Sequence, residues 1–136
     1  MKNLTIKDIA ETLKEYFRDK EEVLLAFIFG SAVSGRLTKK SDVDIAVLFS
    51  NAPDFSNVLK IINDVSEAIG REVDLVVLNN SSPVIRMQVL KNGKLIKSKD
   101  DAIYNNFFVR AVKEYDDLKY VRKEAEINIL KGKIYA

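Results

Sequence analysis

Asp42 and Asp44 stand one residue apart in the run DVDIAVLF, and in an extended strand successive side chains point to opposite faces. Both carboxylates therefore project the same way, while Val43, Ile45, Val47 and Phe49 face the other side. Like charges at this spacing repel, and burying them without a partner is costly, so the pattern calls for a cation or for solvent. Two divalent ions about 3.5–4 Å apart, with one acid bridging them, would use both carboxylates. Asp74 repeats the pattern in EVDLVVL, with Val73, Leu75 and Val77 on the core face. If the two strands are neighbours, or nearly so, three carboxylates converge on one patch of sheet, where one can take the proton of an attacking hydroxyl. Gly30 and Ser31 close an apolar run and supply the complement: free backbone N–H groups and a hydroxyl for phosphate oxygens, with glycine letting the chain approach closely. Arg36, Lys39 and Lys40, in the intervening segment, read more readily as a solvated loop than as phosphate ligands.

The composition narrows the chemistry further. The chain has 136 residues, no histidine and no cysteine. Serine or cysteine triads built on histidine are thereby excluded, as are nearly all structural zinc sites. Carboxylate, hydroxyl and lysine chemistry remains, and oxygen ligands suit hard cations such as Mg2+ or Mn2+. A net charge of +2 gives no ground for direct nucleic-acid binding. No run approaches the roughly 20 apolar residues of a membrane helix, and the N-terminus lacks a signal-peptide pattern, so the expected location is the cytoplasm.

The elements that must position these residues follow from periodicity. Thr5 and Asp8 have the spacing of a capping box before Ile9, Leu13 and Phe17, which predicts a helix over 6–18. VLLAFIF (23–29) reads as a buried strand, 31–41 as a short helical turn and loop, and 42–49 as a second strand. Val58, Ile61, Ile62, Val65 and Ile69 mark a helix over 55–69 ending at Gly70. A third strand is expected over 72–78, a helix from Pro83 to about Lys91, and an edge strand over 94–97 whose lysines discourage further pairing. From Asp100, apolar residues at helical spacing give one long helix or two broken ones, with Tyr104, Phe107, Phe108 and Tyr115 read as core. About 30 helical residues would span about 45 Å, too long to stay within the domain, so this region is expected to enter an oligomer or partner interface. The fold class is α/β (α+β): a small mixed sheet of about four or five strands flanked by helices, with the acids at one edge and a helical C-terminus over 100–136 of a single domain spanning 1–136.

Gly30-Ser31, ten residues, then Asp42-Val43-Asp44 resembles the GSx10DxD signature of the DNA polymerase beta-like nucleotidyltransferase superfamily, and Asp74 lies where its third acid belongs. The short chain and the run FGSAVSGRLTKKSDVDIAVLF resemble the minimal nucleotidyltransferase (MNT) group; Ala32 departs from the arginine or other polar residue common after Gly-Ser. The resemblance implies the nucleotidyltransferase fold, catalytic and metal-binding roles for Asp42, Asp44 and Asp74, nucleotide binding by Gly30 and Ser31, and two Mg2+ ions, with Mn2+ as an alternative. It implies transfer of a nucleoside monophosphate from an NTP, with ATP favoured, to an acceptor hydroxyl. The acceptor it implies is a tyrosine of a HEPN-domain toxin, which this chain would neutralise as the antitoxin of a type VII-like pair. The alternatives are a non-catalytic antitoxin that neutralises by binding, and a nucleotidyltransferase acting on a small molecule.

Overall fold

A computed structural model of the chain describes residues 5–30, 33 and 42–135. The first helix, α1 (Ile6–Arg18), begins at Thr5, whose hydroxyl accepts from the Asp8 N–H while the Asp8 carboxylate accepts from the Thr5 N–H, the reciprocal arrangement the spacing predicts. Its buried face is Ile9, Ala10, Leu13 and Phe17. The strands β1 (Val23–Phe29) and β2 (Val43–Phe49) follow, then α2 (Phe55–Ile69), which Gly70 closes at φ 68°. That left-handed conformation is one glycine adopts without steric cost. Next come β3 (Val73–Val77), a 3₁₀ turn over Leu78–Asn80, α3 (Pro83–Asn92) with Pro83 in its first turn, and β4 (Lys94–Ser98). The C-terminal region is one unbroken helix, α4 (Asp101–Tyr135), entered through Asp100, whose carboxylate accepts from the Ile103 N–H.

The four strands form one mixed sheet in the order β3-β2-β1-β4. β1 runs antiparallel to both β2 and β4, and β2 and β3 are parallel. A parallel pair needs a crossover, and α2 supplies it. Val23, Ala26, Ile28, Val43, Ile45, Val47 and Phe49 pack on one face beneath α1 and α2. Leu25, Phe27 and Ala46 pack on the other against Val89 of α3 and Phe107 of α4. An irregularity in the β1–β2 pairing between Val23 and Leu25 turns these two residues to opposite faces, so the continuous apolar run serves both cores.

Polar groups tie the ends of these elements together. Asn79 pins the end of β3 to that of β2, accepting from the Phe49 N–H (2.9 Å) and donating to the Phe49 carbonyl (2.8 Å). The Arg86 guanidinium donates to the carbonyls of Leu78 (2.8 Å) and Asn79 (3.2 Å) and pairs with Glu114, joining α3 to α4. Lys97 on β4 donates to the Phe17 and Lys20 carbonyls at the end of α1 (2.8 and 2.6 Å). A cation is well placed there, against the negative end of the helix dipole.

Phe17 is fully buried at the centre of the α1–α2 layer. Phe17→Ala is expected to lower the unfolding free energy by about 3–5 kcal/mol through lost burial and a residual cavity, which urea denaturation measures.

Candidate functional site

The site lies where the N-terminal ends of β2 and β3 meet the C-terminal end of β1. Asp44 is the second residue of β2 and Asp74 the second of β3, and the parallel ladder places them directly side by side. Both stand on the α3–α4 face, because Val43, Ile45, Val73 and Leu75 fill the other core. Asp42 precedes β2 and is exposed, so the expected strand start at Asp42 is corrected to Val43, whose N–H is taken up by the Glu72 carbonyl (2.9 Å). β3 is likewise shorter than expected, because Leu78 turns into the 3₁₀ segment.

Gly30 ends β1 with φ 76°, and its carbonyl accepts from the Val33 N–H at 3.2 Å. A Cβ built there would overlap the Asp44 carboxylate. The left-handed backbone favours glycine here, and a Cβ would also displace the Asp44 carboxylate from its position against the turn. Phe29, which nothing in the spacing singles out, is the cross-strand partner of Asp44 and stands on the same face. Its ring is an apolar wall beside the acid. The displaced phase of β1 hides this neighbour from a sequence reading.

The charge Asp44 feels is negative on both sides. Partial burial raises its carboxyl above the ordinary carboxylate range first, and the Asp74 and Asp42 carboxylates push it further in the same direction. Among the described residues, no three histidine, cysteine, aspartate or glutamate side chains make up a metal site on their own. The structure brings Asp44 and Asp74 together, with Asp42 beside them close enough to act on Asp44 electrostatically. Ser31, Arg36, Lys39 and Lys40 lie outside the described residues. Chemically, the patch is a pair of carboxylates with a third nearby, a donor set of oxygens suited to a hard divalent cation.

Residues 11–102 match the sequence profile of the polymerase beta nucleotidyltransferase domain. The chain belongs to the polymerase beta nucleotidyltransferase family. A Methanocaldococcus jannaschii relative is 34% identical over 100 residues, covering 73% of this chain and 93% of its own. The protein adenylyltransferase MntA of Shewanella oneidensis is 32% identical over 101 residues, covering 73% of this nucleotidyltransferase and 70% of MntA. Among solved structures, a toxin–antitoxin with AMP-PNP superposes with a TM-score of 0.76 at 26% identity, over 89% of this chain and 98% of that one. The match to that chain carries the four-stranded mixed sheet and its flanking helices as the nucleotidyltransferase fold, and enzymes of this family generally use divalent metal ions. Among the described residues, no helix is long and apolar enough to cross a membrane.

Gly30→Ala is expected to lose about 1–2 kcal/mol from the left-handed backbone, measurable by urea unfolding, and to displace the Asp44 carboxylate. A pH dependence follows from Asp44. Its folded carboxyl holds a proton more tightly than the unfolded one, so the native state loses relative stability as pH rises from the ordinary value of 3.8 through the raised folded value. Asp44→Asn is therefore expected to raise the melting temperature near neutral pH in chelator and to leave it unchanged below that window; thermal melts at the two pH values check this.

Proposed function

We propose that this chain is a protein adenylyltransferase that transfers AMP from ATP to a tyrosine hydroxyl of a HEPN-domain toxin and so acts as its antitoxin. The observation that carries the reading is the side-by-side placement of Asp44 and Asp74 next to Gly30 at the open end of the sheet. The relatives support the choice of chemistry and acceptor. MntA is named a protein adenylyltransferase, and structures sharing this fold include a tri-AMPylated HEPN toxin in complex with an MNT antitoxin.

In this reading Asp42, Asp44 and Asp74 hold two Mg2+ ions, with Mn2+ able to replace them. The fit rests on the local charge: burial pushes the Asp44 carboxyl up, the Asp74 and Asp42 carboxylates push it further, and a divalent cation relieves that repulsion. When bound, the metals neutralise the triphosphate and lower the pKa of the acceptor hydroxyl. Gly30 and Ser31 orient the phosphates through backbone N–H groups and the serine hydroxyl. Asp74 accepts the acceptor proton. The tyrosine oxygen then attacks the α-phosphorus in line, the new P–O bond forms as the bond to the β-phosphate oxygen breaks, and pyrophosphate leaves with the charge. Most of the acceleration comes from positioning and charge neutralisation rather than from covalent participation of the protein.

The reading places the acids in catalysis rather than in docking. Asp42→Asn combined with Asp44→Asn is expected to cut transfer of label from α-labelled ATP to the toxin by at least about 10²–10³-fold while leaving the toxin complex intact on a pull-down. Toxin neutralised in cells by that double variant would instead assign the antitoxin effect to binding alone.

A further inference from the structure

The last helix carries an exposed apolar surface outside the acid cluster. The first half of α4 packs on the sheet through Phe107 and Ala111, both buried. From Lys119 to Lys131 every residue is exposed. This half continues a helix already nucleated by the packing of its first half, but it has no tertiary packing of its own. One stripe runs the length of the helix on the side turned away from Phe107 and Ala111. At three- and four-residue spacing it holds Val109, Val112, Asp116, Tyr120, Lys123, Ile127 and Leu130. Val112 is half-buried, while Val109, Tyr120, Ile127 and Leu130 are 65%, 64%, 42% and 59% exposed, an apolar line open to solvent and interrupted by Asp116 and Lys123.

The two charged members of the stripe choose the occupant. Asp116 and Lys123 are opposite in sign and nearly equidistant from Tyr120, and neither has a salt-bridge partner among the described residues. We propose that two copies of this chain pair through the outer face of α4 in antiparallel fashion about a twofold axis near Tyr120. Asp116 of each copy then meets Lys123 of the other, Val112 meets Ile127, and Val109 meets Leu130. Parallel pairing would oppose Asp116 to Asp116 and Lys123 to Lys123, a like-charge contact that disfavours it. The stripe is self-complementary only when one copy is reversed, which is the requirement of an isologous dimer. It extends about 32 Å at 1.5 Å per residue, unobstructed by the domain's own sheet. A second line of Val121, Ala125 and Ile129 continues the sheet-facing side and stays free in this arrangement.

Sedimentation and light scattering of the full chain, in a concentration series reaching about 100 µM, read the dimer directly; twice the monomer mass is expected. Ile127→Glu and, separately, Asp116→Lys are expected to raise the dissociation constant at least about tenfold with helical circular dichroism unchanged, since both positions are exposed. Asp116→Lys combined with Lys123→Asp restores the charge match and is expected to recover association. The chain has no native cysteine, so Val112→Cys with Ile127→Cys supplies an independent readout: oxidation is expected to give a covalent dimer, whereas Val112→Cys alone gives none. A monomer throughout the series, a dimer indifferent to Ile127→Glu, or covalent dimers from Val112→Cys alone would each overturn the proposal.

Discussion

The physical constraint on which the rest of the structure turns is the adjacency of two carboxylates on neighbouring parallel strands. Partial burial of Asp44 disfavours its charge, and repulsion from Asp74 adds to the cost. Such a pair survives in a marginally stable fold only when the framework around it is strong enough to hold it. That framework is visible. On the opposite side of the same strands, Val43, Ile45, Val47, Val73 and Leu75 lock the pair into register beneath α1 and α2, and the Glu72 carbonyl fixes the first residue of β2. At the far end, Asn79 clamps both strands through the backbone of Phe49. A slip of one residue would exchange the acids for apolar side chains, so register is determined by the core and the site inherits it.

Sheet topology decides how the third component reaches the acids. Because β1 is antiparallel to β2, its C-terminal end arrives at the N-terminal end of β2, and Gly30 comes up against Asp44. The parallel β2–β3 pair, joined by α2, brings Asp74 to the same end from a segment 30 residues downstream. In the proposed mechanism one strand end offers backbone to phosphate and two others offer carboxylate to metal, a division of labour that suits the positioning and charge neutralisation of nucleotidyl transfer. α3 and α4 cover the rest of that face and are themselves bound through Arg86 to the end of β3 and to Glu114, away from the acids.

Much of this was legible in the residues because the signals were local. The Thr5–Asp8 spacing marked the start of α1, Gly70 marked the end of α2, and the apolar run ending at Phe29 gave β1 with its bounds. The alternation in DVDIAVLF and EVDLVVL told which side chains face the core. What local patterns do not contain is strand order: sequence alone left open whether the strands bearing Asp44 and Asp74 were neighbours, and the crossover through α2 answers it. The continuous apolar character of β1 concealed the irregularity at Val23 and Leu25, and with it the place of Phe29 beside Asp44. In α4 the apolar residues read as core because their spacing is helical, yet Phe107 is buried while Phe108 is 45% exposed; periodicity locates a stripe without saying what covers it.

The most direct measurement of the central claim is a crystal structure of the chain with Mn2+ and a non-hydrolysable ATP analogue, with the metal located by its anomalous signal. Manganese held by carboxylate oxygens of Asp44 and Asp74, with the triphosphate lying against Gly30, is the result expected from the pairing of the two strands. Nucleotide bound elsewhere on the sheet, or carboxylates free of metal while the nucleotide is in place, would contradict it.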